Sequence, residues 1–290
     1  MARSGAATES TDAHASSGSR AGRSWGASAV SNSGTAGAYR RSTLPFVTSL
    51  RIGHRFQGPS GTGQGGWTSA LFERTVGEPL AISITRSIPL ETDLEVFEVA
   101  GGWELHDDTK RPVMTARART EPFVDTEPVS VDAAADARRR FPAASEVVHP
   151  VPDCFSCGPV ESSMGVHAGP LDDGTGRFAV DWTVPDWTQT GGEVDTALLW
   201  TALDCTTAWY IGYSDGRRPA FTVGYAAEVL TPLEPGQRYA VVAWSGDYPV
   251  AWDGRKRGGA AAAFDRDGRC VGRARSFWVA AALDDPRITT

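Results

Sequence analysis

Residues 191–210 read GGEVDTALLWTALDCTTAWY and carry a dense helical pattern of apolar side chains. Residues at three- and four-residue steps share one helix face: Val194, Ala197, Leu198, Thr201, Ala202, Cys205, Ala208 and Trp209. The opposite face is apolar as well, with Leu199, Trp200 and Leu203. A helix that is apolar on every side is normally buried, so the pattern predicts a buried helix over 195–210.

Asp204 lies in the middle of this apolar run. Burying an unpaired carboxylate costs several kcal/mol or raises its pKa. One interpretation is structural, with Asp204 hydrogen-bonded to nearby backbone or to hydroxyls such as that of Thr207. The other is functional, with Asp204 as a general base or nucleophile in a dry cleft. Perturbed carboxylates occur both at sites and in structural networks, so both interpretations stay open here.

Length and composition limit the class of protein. The chain has 290 residues, enough for one large domain or two small ones. A net charge of −7 argues against a general nucleic-acid binder. No apolar run reaches the roughly 20 residues of a membrane-spanning helix, so no membrane partner is expected. Two of the four cysteines lie in apolar segments, as reduced buried thiols do, and we expect a cytoplasmic location.

Four segments follow from the pattern along the chain. Residues 1–44 are rich in Ser, Ala, Gly and Arg and predict a disordered tail, because they cannot bury enough apolar surface to fold. Residues 45–124 and 151–285 each combine strands, a Gly-containing loop and a helix, predicted at 67–76 and 195–210. Residues 125–150 carry prolines and a charged run and predict a connector. The predicted strands are 50–56, 80–87, 94–99, 112–119, 165–168, 176–182, 220–229, 238–244, 260–264 and 270–281.

The two halves repeat local phrases. IPLETDLEVFEVAGG at 88–102 matches TPLEPGQRYAVVAWSG at 231–246, with Pro-Leu, a turn, a strand and Gly in the same order. ELHDDTKRPVMTARART at 104–120 matches FDRDGRCVGRARSFW at 264–278, with an acidic turn and a strand ending in Arg-Ala-Arg. The period is too long for a solenoid, so the repeats indicate an internal duplication into two similar domains.

A strand, a Gly-Gly loop, a buried helix and an antiparallel sheet resemble a hotdog domain. GQGGWTSALFE at 63–73 resembles that family's His-Gly-Gly loop with a catalytic acid seven residues later, which places Gln64 at the histidine position and Glu73 at the acid position. WTALD, ending at Asp204, resembles the helix acid of the double-hotdog acyl-CoA thioesterases. The resemblance implies an α+β fold of two tandem hotdog domains, each an antiparallel sheet wrapped round one long helix.

The same resemblance implies hydrolysis of an acyl thioester of coenzyme A or an acyl carrier protein. Coenzyme A is then part of the substrate, and no separate cofactor is expected. The candidate catalytic residues are Asp204, Glu73 and Gln64, and Asp204 is preferred because its surroundings are more apolar. Thioesterases of this type set an Asp beside a Gln and a Thr or Ser on neighbouring strands. Thr222 is the candidate hydroxyl, but the Gln would fall near Ser276, where this sequence has none.

Backbone amides and basic side chains are further candidates for substrate binding. Gly65, Gly66, Gly191 and Gly192 precede the two predicted helices, and free N–H groups there can stabilise an oxyanion by about 3 kcal/mol per donor. Tight turns that need glycine explain the same residues. The run Arg255-Lys256-Arg257 can pair with the phosphates of coenzyme A, or it is a solvated loop.

Two other functions stay open. Hotdog dehydratases place a catalytic histidine on the first strand, where His54 and His167 fall in the two halves, so a dehydratase, a hydratase or a pathway-specific tailoring enzyme is the main alternative. A lone strand histidine is more often a satisfied polar residue. The second alternative is a non-catalytic acyl-binding protein. Each of these functions is compatible with a homo-oligomer.

Cys154 and Cys157 form a single CxxC pair. A zinc site needs about four ligands, and the spacing to His149 or His167 fits no common site. A redox motif needs a thioredoxin-like βαβ context, which the sequence lacks. We therefore expect no metal, and we expect the pair to form a packed turn at the start of the second half.

Overall fold

The computed structural model describes residues 49–141, 149–185, 189–190, 193–214, 219–282 and 284–288. The predicted tail at 1–44 and the two predicted oxyanion donors Gly191 and Gly192 lie outside these residues. Within the described part of the chain, no helix has both the length and the apolar character that crossing a membrane requires.

Three α-helices and thirteen strands make up the described fold. The helices are α1 (Gly65–Val76), α2 (Val131–Arg139) and α3 (Ala197–Tyr213). The strands are β1 (Ser49–Arg51), β2 (Leu80–Ile84), β3 (Asp93–Val99), β4 (Gly102–His106), β5 (Pro112–Ala118), β6 (Gly169–Pro170), β7 (Phe178–Thr183), β8 (Gln189–Thr190), β9 (Glu193–Val194), β10 (Ala220–Val229), β11 (Arg238–Trp244), β12 (Lys256–Phe264) and β13 (Cys270–Ala280).

One antiparallel sheet joins eleven of these strands in the order β1-β3-β4-β5-β2-β10-β13-β12-β11-β7-β6. Read outward from β2, the order β5, β4, β3, β1 mirrors the order β13, β12, β11, β7 read outward from β10. The sequence predicted a separate sheet for each half. The structure has a single sheet, because β2 and β10 pair with each other through Ile82 with Tyr225 and Ser83 with Gly224.

Helix α3 lies in the core, as its apolar residues predicted. Fifteen of its 17 residues are buried, and the helix packs against β7, β10 to β13 and α1. Its hydroxyls do not add unpaired polar groups to the core, because Thr201, Thr206 and Thr207 each donate to the carbonyl four residues earlier at 2.8 Å. The helix starts two residues later than predicted, where the Asp195 carboxylate accepts the Ala197 N–H at 2.9 Å.

Helix α1 starts at Gly65, two residues before its predicted start. Gln64 caps it, with the side-chain Oε1 accepting the Trp67 N–H at 2.6 Å. Gly77 ends it in the left-handed conformation (φ 85°) that favours glycine, and its N–H donates to the Glu73 carbonyl at 2.8 Å. The helix bounded in this way packs against α3.

Helix α2 falls inside the segment predicted as a connector. It packs against β7 and β11, and its buried Ala134 and Ala137 join a small second core with Ala179, Ala240 and Val242. Small side chains on both surfaces allow this close packing, and the charged run 136–140 that suggested a plain connector lies at its C-terminal end.

Two predicted strands are shorter or displaced in the structure. The strand predicted at 50–56 stops at Arg51, and a 3-10 turn over His54–Phe56 follows it. The strand predicted at 165–168 is replaced by β6 at Gly169–Pro170. Gly165 there adopts a positive φ of 67°, which an extended strand cannot contain.

Candidate active site

Asp204 is buried, with 3% of its surface exposed, and accepts three hydrogen bonds. Its Oδ2 accepts from Gln64 Nε2 at 2.6 Å and from the Gly66 N–H at 3.2 Å, and its Oδ1 accepts from Thr222 Oγ1 at 2.8 Å. Thr207, the partner that the sequence suggested for a structural role, bonds to the Leu203 carbonyl instead. Two of the donors to Asp204 thus come from the N-terminal end of α1, 140 and 138 positions away, and the third comes from β10, 18 positions away.

Burial raises the pKa of Asp204 to about 7, because desolvation disfavours the carboxylate. The hydrogen bonds from Thr222, Gly66 and Gln64 act in the opposite direction and limit the rise. Asp204 can therefore both hold and release a proton near neutral pH, as a general base must.

Glycine lets α1 approach Asp204 this closely. A Cβ at Gly66 would lie 2.8 Å from the Trp200 carbonyl oxygen and 2.9 Å from the Asp204 Cβ, too close for any side chain. A Cβ at Gly65 would lie 3.0 Å from Ile84 and 3.6 Å from Asp204 Oδ2. Gly66 is therefore required by the contact between the two helices, whereas Gly65 meets the end of the Ile84 side chain on β2.

The N-terminus of α1 has fewer free donors than the sequence suggested. The Gly66 N–H is bonded to Asp204, and the Trp67 N–H is bonded to Gln64. Among the described residues, the Gly65 N–H has no acceptor. Gly65 is therefore the donor of this loop that remains for a ligand oxygen, and it lies at the positive end of the helix dipole.

A cavity of about 310 Å³ opens over Asp204. Gln64, Gly65 and Thr222 line its buried end together with Asp204. Apolar side chains form much of its wall: Ile84, Ile88, Ala208, Phe221 and Trp278. An apolar cleft with a few converging polar groups at one end is the usual form of a small-molecule site.

Arginines line the same cavity where it meets solvent. Arg287 and Arg86 are paired with acids, Asp285 at 2.5 Å and Asp107 at 2.9 Å. Exposed Arg255 also lines the cavity, where it donates to the Ala280 carbonyl, and it has no acidic partner among the residues described. Arg255 is thus the cation most available to an anionic group.

The rest of the predicted basic run does not line the cavity. Lys256 is exposed on β12. Arg257 is buried and donates to the Ile211 carbonyl at 3.1 Å and to Ser214 Oγ at 2.6 Å, so it holds the C-terminal end of α3. The three cations predicted as one phosphate-binding cluster therefore have separate roles.

Glu73, the second predicted acid, lies away from the cavity. Its carboxylate accepts the Leu80 N–H at 2.8 Å, where β2 begins. Burial raises its pKa to about 7, while the Leu80 hydrogen bond and Arg119 oppose that rise. A carboxylate that ties a helix to the start of a strand has a structural role in this arrangement.

The histidines of the dehydratase alternative are also outside the cavity. His54 is exposed in the 3-10 turn after β1. His167 stacks on Phe141, and its Nε2 lies 3.1 Å from the Cys157 carbonyl. Burial lowers the pKa of His167. Neither histidine is placed to exchange a proton with a ligand beside Asp204.

Three thiols form a cluster that the sequence analysis missed. Cys154, Cys157 and Cys205 are all buried, line the cavity beside Asp204, and bring their sulfurs within 4.8 Å of one another. The CxxC pair does form a packed turn, as expected, but Cys205 of α3 completes the cluster. Its position next to Asp204 in the buried helix was the available signal. Hydrogen bonds from the Cys157 and Cys205 thiols lower the pKa of Cys154 well below its ordinary value.

No protein-family model matches the chain, and no curated protein matches it in sequence. Solved structures do match. A thioesterase candidate from Novosphingobium aromaticivorans aligns with a TM-score of 0.52 at 14% identity, covering 81% of this chain and 95% of that one.

Two other matches are more partial. Zebra fish thioesterase superfamily member 2 aligns with a TM-score of 0.37 at 12% identity, covering 53% of this chain and 99% of that one. A Streptococcus mutans protein bound to acetyl-CoA aligns with a TM-score of 0.33 at 15% identity, covering 37% and 83%. At such low identity the likeness concerns the fold alone. The Novosphingobium match, which spans nearly all of the aligned structure, shows that this chain has the same fold as that protein, the hotdog fold.

Proposed function

We propose that the chain is a tandem pair of hotdog units that hydrolyses an acyl thioester, with Asp204 as the reacting carboxylate. The observation that carries the proposal is the placement of Asp204. It is a buried carboxylate at the end of a largely apolar cavity, and it contacts the N-terminal loop of the other half's helix. The mirrored strand order and the repeated phrases of the two halves support the tandem arrangement.

Each polar group at the buried end has a role in this chemistry. The Gly65 N–H and the N-terminus of α1 would stabilise the charge that develops on the thioester oxygen. Gln64 and Thr222 hold the carboxylate in place by hydrogen bonds to its two oxygens. Asp204, Gln64 and Thr222 together offer the acid, amide and hydroxyl of the thioesterase set. Here the amide is that of Gln64, the cap of α1. The strand position where the resemblance puts the Gln is Ser276, which is buried in β13 and accepts the Trp278 indole N–H.

Two routes use this arrangement. Asp204 can take a proton from water as the water oxygen bonds to the carbonyl carbon, after which the carbon–sulfur bond breaks and the leaving thiolate takes that proton from Asp204. Alternatively Asp204 attacks the carbonyl carbon itself, expels the thiolate and leaves a mixed anhydride that water hydrolyses. Both routes need an ionised Asp204 and a carbonyl oxygen held by the Gly65 N–H at the positive end of the α1 dipole.

Coenzyme A is the preferred carrier of the acyl group. The apolar wall suits an acyl chain, and Arg255 at the solvent end suits a phosphate, because a guanidinium pairs strongly with phosphate oxygens. An acyl carrier protein would present a phosphopantetheine with the same thioester, so a comparison of the two carriers belongs to the test.

Acyl binding without turnover is the second candidate, and one observation favours it. Asp204 already accepts three hydrogen bonds, and one of them uses the Gly66 N–H that an oxyanion would otherwise take. A carboxylate held in this way can serve to join α1 to α3. In this second candidate function, the cavity binds the same class of acyl ligand but no reaction takes place.

A thiol-release assay over a panel of acyl-CoA esters and acyl-carrier-protein thioesters tests the proposal. If the protein is a hydrolase, the wild type should release thiol at a rate that depends on the length of the acyl chain, and Asp204→Asn should release none. Binding of a thioether analogue without any thiol release identifies a binding protein. Hydration of enoyl-CoA, followed by absorbance, in the absence of thiol release would move the activity to the dehydratase class.

A further inference from the structure

The thiols of Cys154, Cys157 and Cys205 converge from two elements. Cys154 and Cys157 belong to the turn that opens the second half, and Cys205 belongs to α3. The Cys154 and Cys205 sulfurs are 3.9 Å apart, and all three sulfurs lie within 4.8 Å of one another. All three cysteines are free, and each is at least 94% buried.

These separations match those around a thiolate-bound metal ion. Zinc binds thiolate sulfur at about 2.3 Å, and three sulfurs on a tetrahedral ion then lie about 3.8 Å from one another. The 3.9 Å pair already has this spacing, and the remaining pairs need to close by less than about 1 Å. Small side-chain rotations are enough for that.

The turn holds its two cysteines in place before any ion binds. The Gly158 N–H donates to the Cys154 carbonyl at 2.7 Å, and a Cβ at Gly158 would lie 2.4 Å from the Pro152 carbonyl oxygen, so the tight turn requires glycine. Phe155 anchors the turn to the first half, where its ring packs against Phe56 and Trp67 and its N–H donates to the Gln57 carbonyl at 3.0 Å. Cys205 is held as firmly, because it lies in the buried helix.

We propose that Cys154, Cys157 and Cys205 bind one zinc ion, with its fourth coordination position facing the cavity. Thiolates are soft ligands that select zinc over magnesium or calcium, which take oxygen ligands. All three cysteines and Asp204 line the same cavity, so a water molecule or a small ligand can reach the fourth position. Three protein ligands with one open position are the arrangement of reactive zinc sites, whereas structural sites are closed by four.

The zinc site does not depend on the hydrolysis proposed above, since it rests on three other side chains. It also explains why three buried thiols meet beside Asp204. The proposal predicts one zinc ion per chain. Replacing a cysteine of the cluster should remove the ion, and replacing Cys270, which lies outside the cluster, should leave it bound.

Metal analysis of the full chain, purified under reducing conditions, provides the test. We expect one equivalent of zinc in the wild type, less than a tenth of that in Cys205→Ser and Cys154→Ser, and an unchanged content in Cys270→Ser. Cys270 is the matched control, because it is half-buried on β13 and lies outside the cluster. Circular dichroism establishes that the compared variants are folded.

A second measurement on the wild type covers variants that fail to fold. After removal of metal with a chelator, added Co²⁺ should produce an intense sulfur-to-cobalt charge-transfer band, and Zn²⁺ should abolish it and protect three thiols from a thiol reagent. Absence of both zinc and the cobalt band in folded wild type would overturn the proposal. So would a cobalt band retained in folded Cys205→Ser, copper in place of zinc, or a disulfide between two of the three cysteines in protein kept reducing.

Discussion

Asp204 and Glu73 are the candidate catalytic acids of the two halves of the chain, and they share several properties. Each lies on the helix of its half, and burial raises the pKa of each to about 7. Their partners differ. Asp204 accepts from groups of α1 and β10 and faces the cavity, whereas Glu73 accepts the Leu80 N–H within its own half and lies away from the cavity.

The comparison shows what a raised pKa can and cannot identify. In both residues the shift reports burial first. Space for a ligand beside the carboxylate, and donors supplied by a second element, distinguish Asp204. The site is therefore assigned from the groups that meet at the cavity, and the raised pKa of one acid is secondary evidence.

Replacing Asp204 by Asn should give the largest effect. The amide can keep the contacts, with its oxygen accepting from Gln64 and Gly66 and its nitrogen donating to Thr222, but it cannot take a proton or attack a carbonyl. We expect thiol release to fall by about 100-fold or more, with a melting temperature that is unchanged or higher because a buried charge is removed.

Glu73→Gln is the matched control for that loss, and its turnover should stay within about twofold of the wild type, since Glu73 touches no part of the cavity. The opposite ranking, in which Glu73→Gln abolishes thiol release and Asp204→Asn preserves it, would place the reaction at Glu73 in the first half and contradict the assignment of Asp204.

Gly66→Ala should push α1 away from α3 and weaken the packing between the two helices. The added Cβ would lie 2.8 Å from the Trp200 carbonyl oxygen, and backbone cannot yield there as a flexible side chain can. We expect the free energy of unfolding, measured in urea, to fall by about 1–3 kcal/mol, with a loss of turnover as Asp204 loses a donor.

Gly53→Ala is the matched glycine control. Its new Cβ would meet its nearest neighbour, the Glu91 side chain, at an ordinary 3.5 Å, so stability and turnover should both be kept. A Gly66→Ala protein as stable and active as the wild type would show that the two helices are not held in the contact described here.

Thr222→Val removes the hydroxyl that donates to Asp204 Oδ1 and nearly preserves the shape. A hydrogen bond to a charged group contributes about 1.5–3 kcal/mol, so we expect turnover to fall by about tenfold if that bond positions the carboxylate. Thr206→Val serves as the control, because its hydroxyl donates to the Ala202 carbonyl on α3. Equal losses in both variants would attribute the effect to the core in general.

Glu73→Gln should change the pH dependence of stability. The folded-state pKa of Glu73 is raised from 4.5 to about 7, so the folded state holds the proton more tightly than the unfolded state. Its contribution to stability is complete below about pH 4.5 and is lost as the pH rises to about 7. The Gln variant should therefore gain on the wild type across that interval in urea unfolding, and a constant difference would contradict the shift.

Local pattern predicted much of the fold. The residues of α3 are apolar on every side, and the helix is buried. The bounds of β10 and β11 agree with those predicted, because alternating and apolar runs between turn residues are properties of short stretches. Helix α2 escaped prediction because its apolar residues are alanines, which pack closely and give a weak pattern.

The site depends on pairs that lie far apart in the sequence. Asp204 and Gln64 are separated by 140 positions and Cys154 and Cys205 by 51. No periodicity records such contacts. The sequence marked Asp204 as an anomaly in an apolar helix, and the resemblance marked Gln64, Gly65 and Gly66. Only the packing of α1 on α3 shows that these residues meet, and that Glu73 does not join them.

The most direct test of the site is a crystal structure of the full chain with a non-hydrolysable thioether analogue of an acyl-CoA. The account predicts the acyl chain in the cavity, the atom that replaces the thioester carbonyl carbon within about 3.5 Å of the Asp204 carboxylate or of a water bound to it, and the neighbouring oxygen on the Gly65 N–H. An analogue bound beside Glu73, or one whose acyl group leaves the cavity empty, would contradict it.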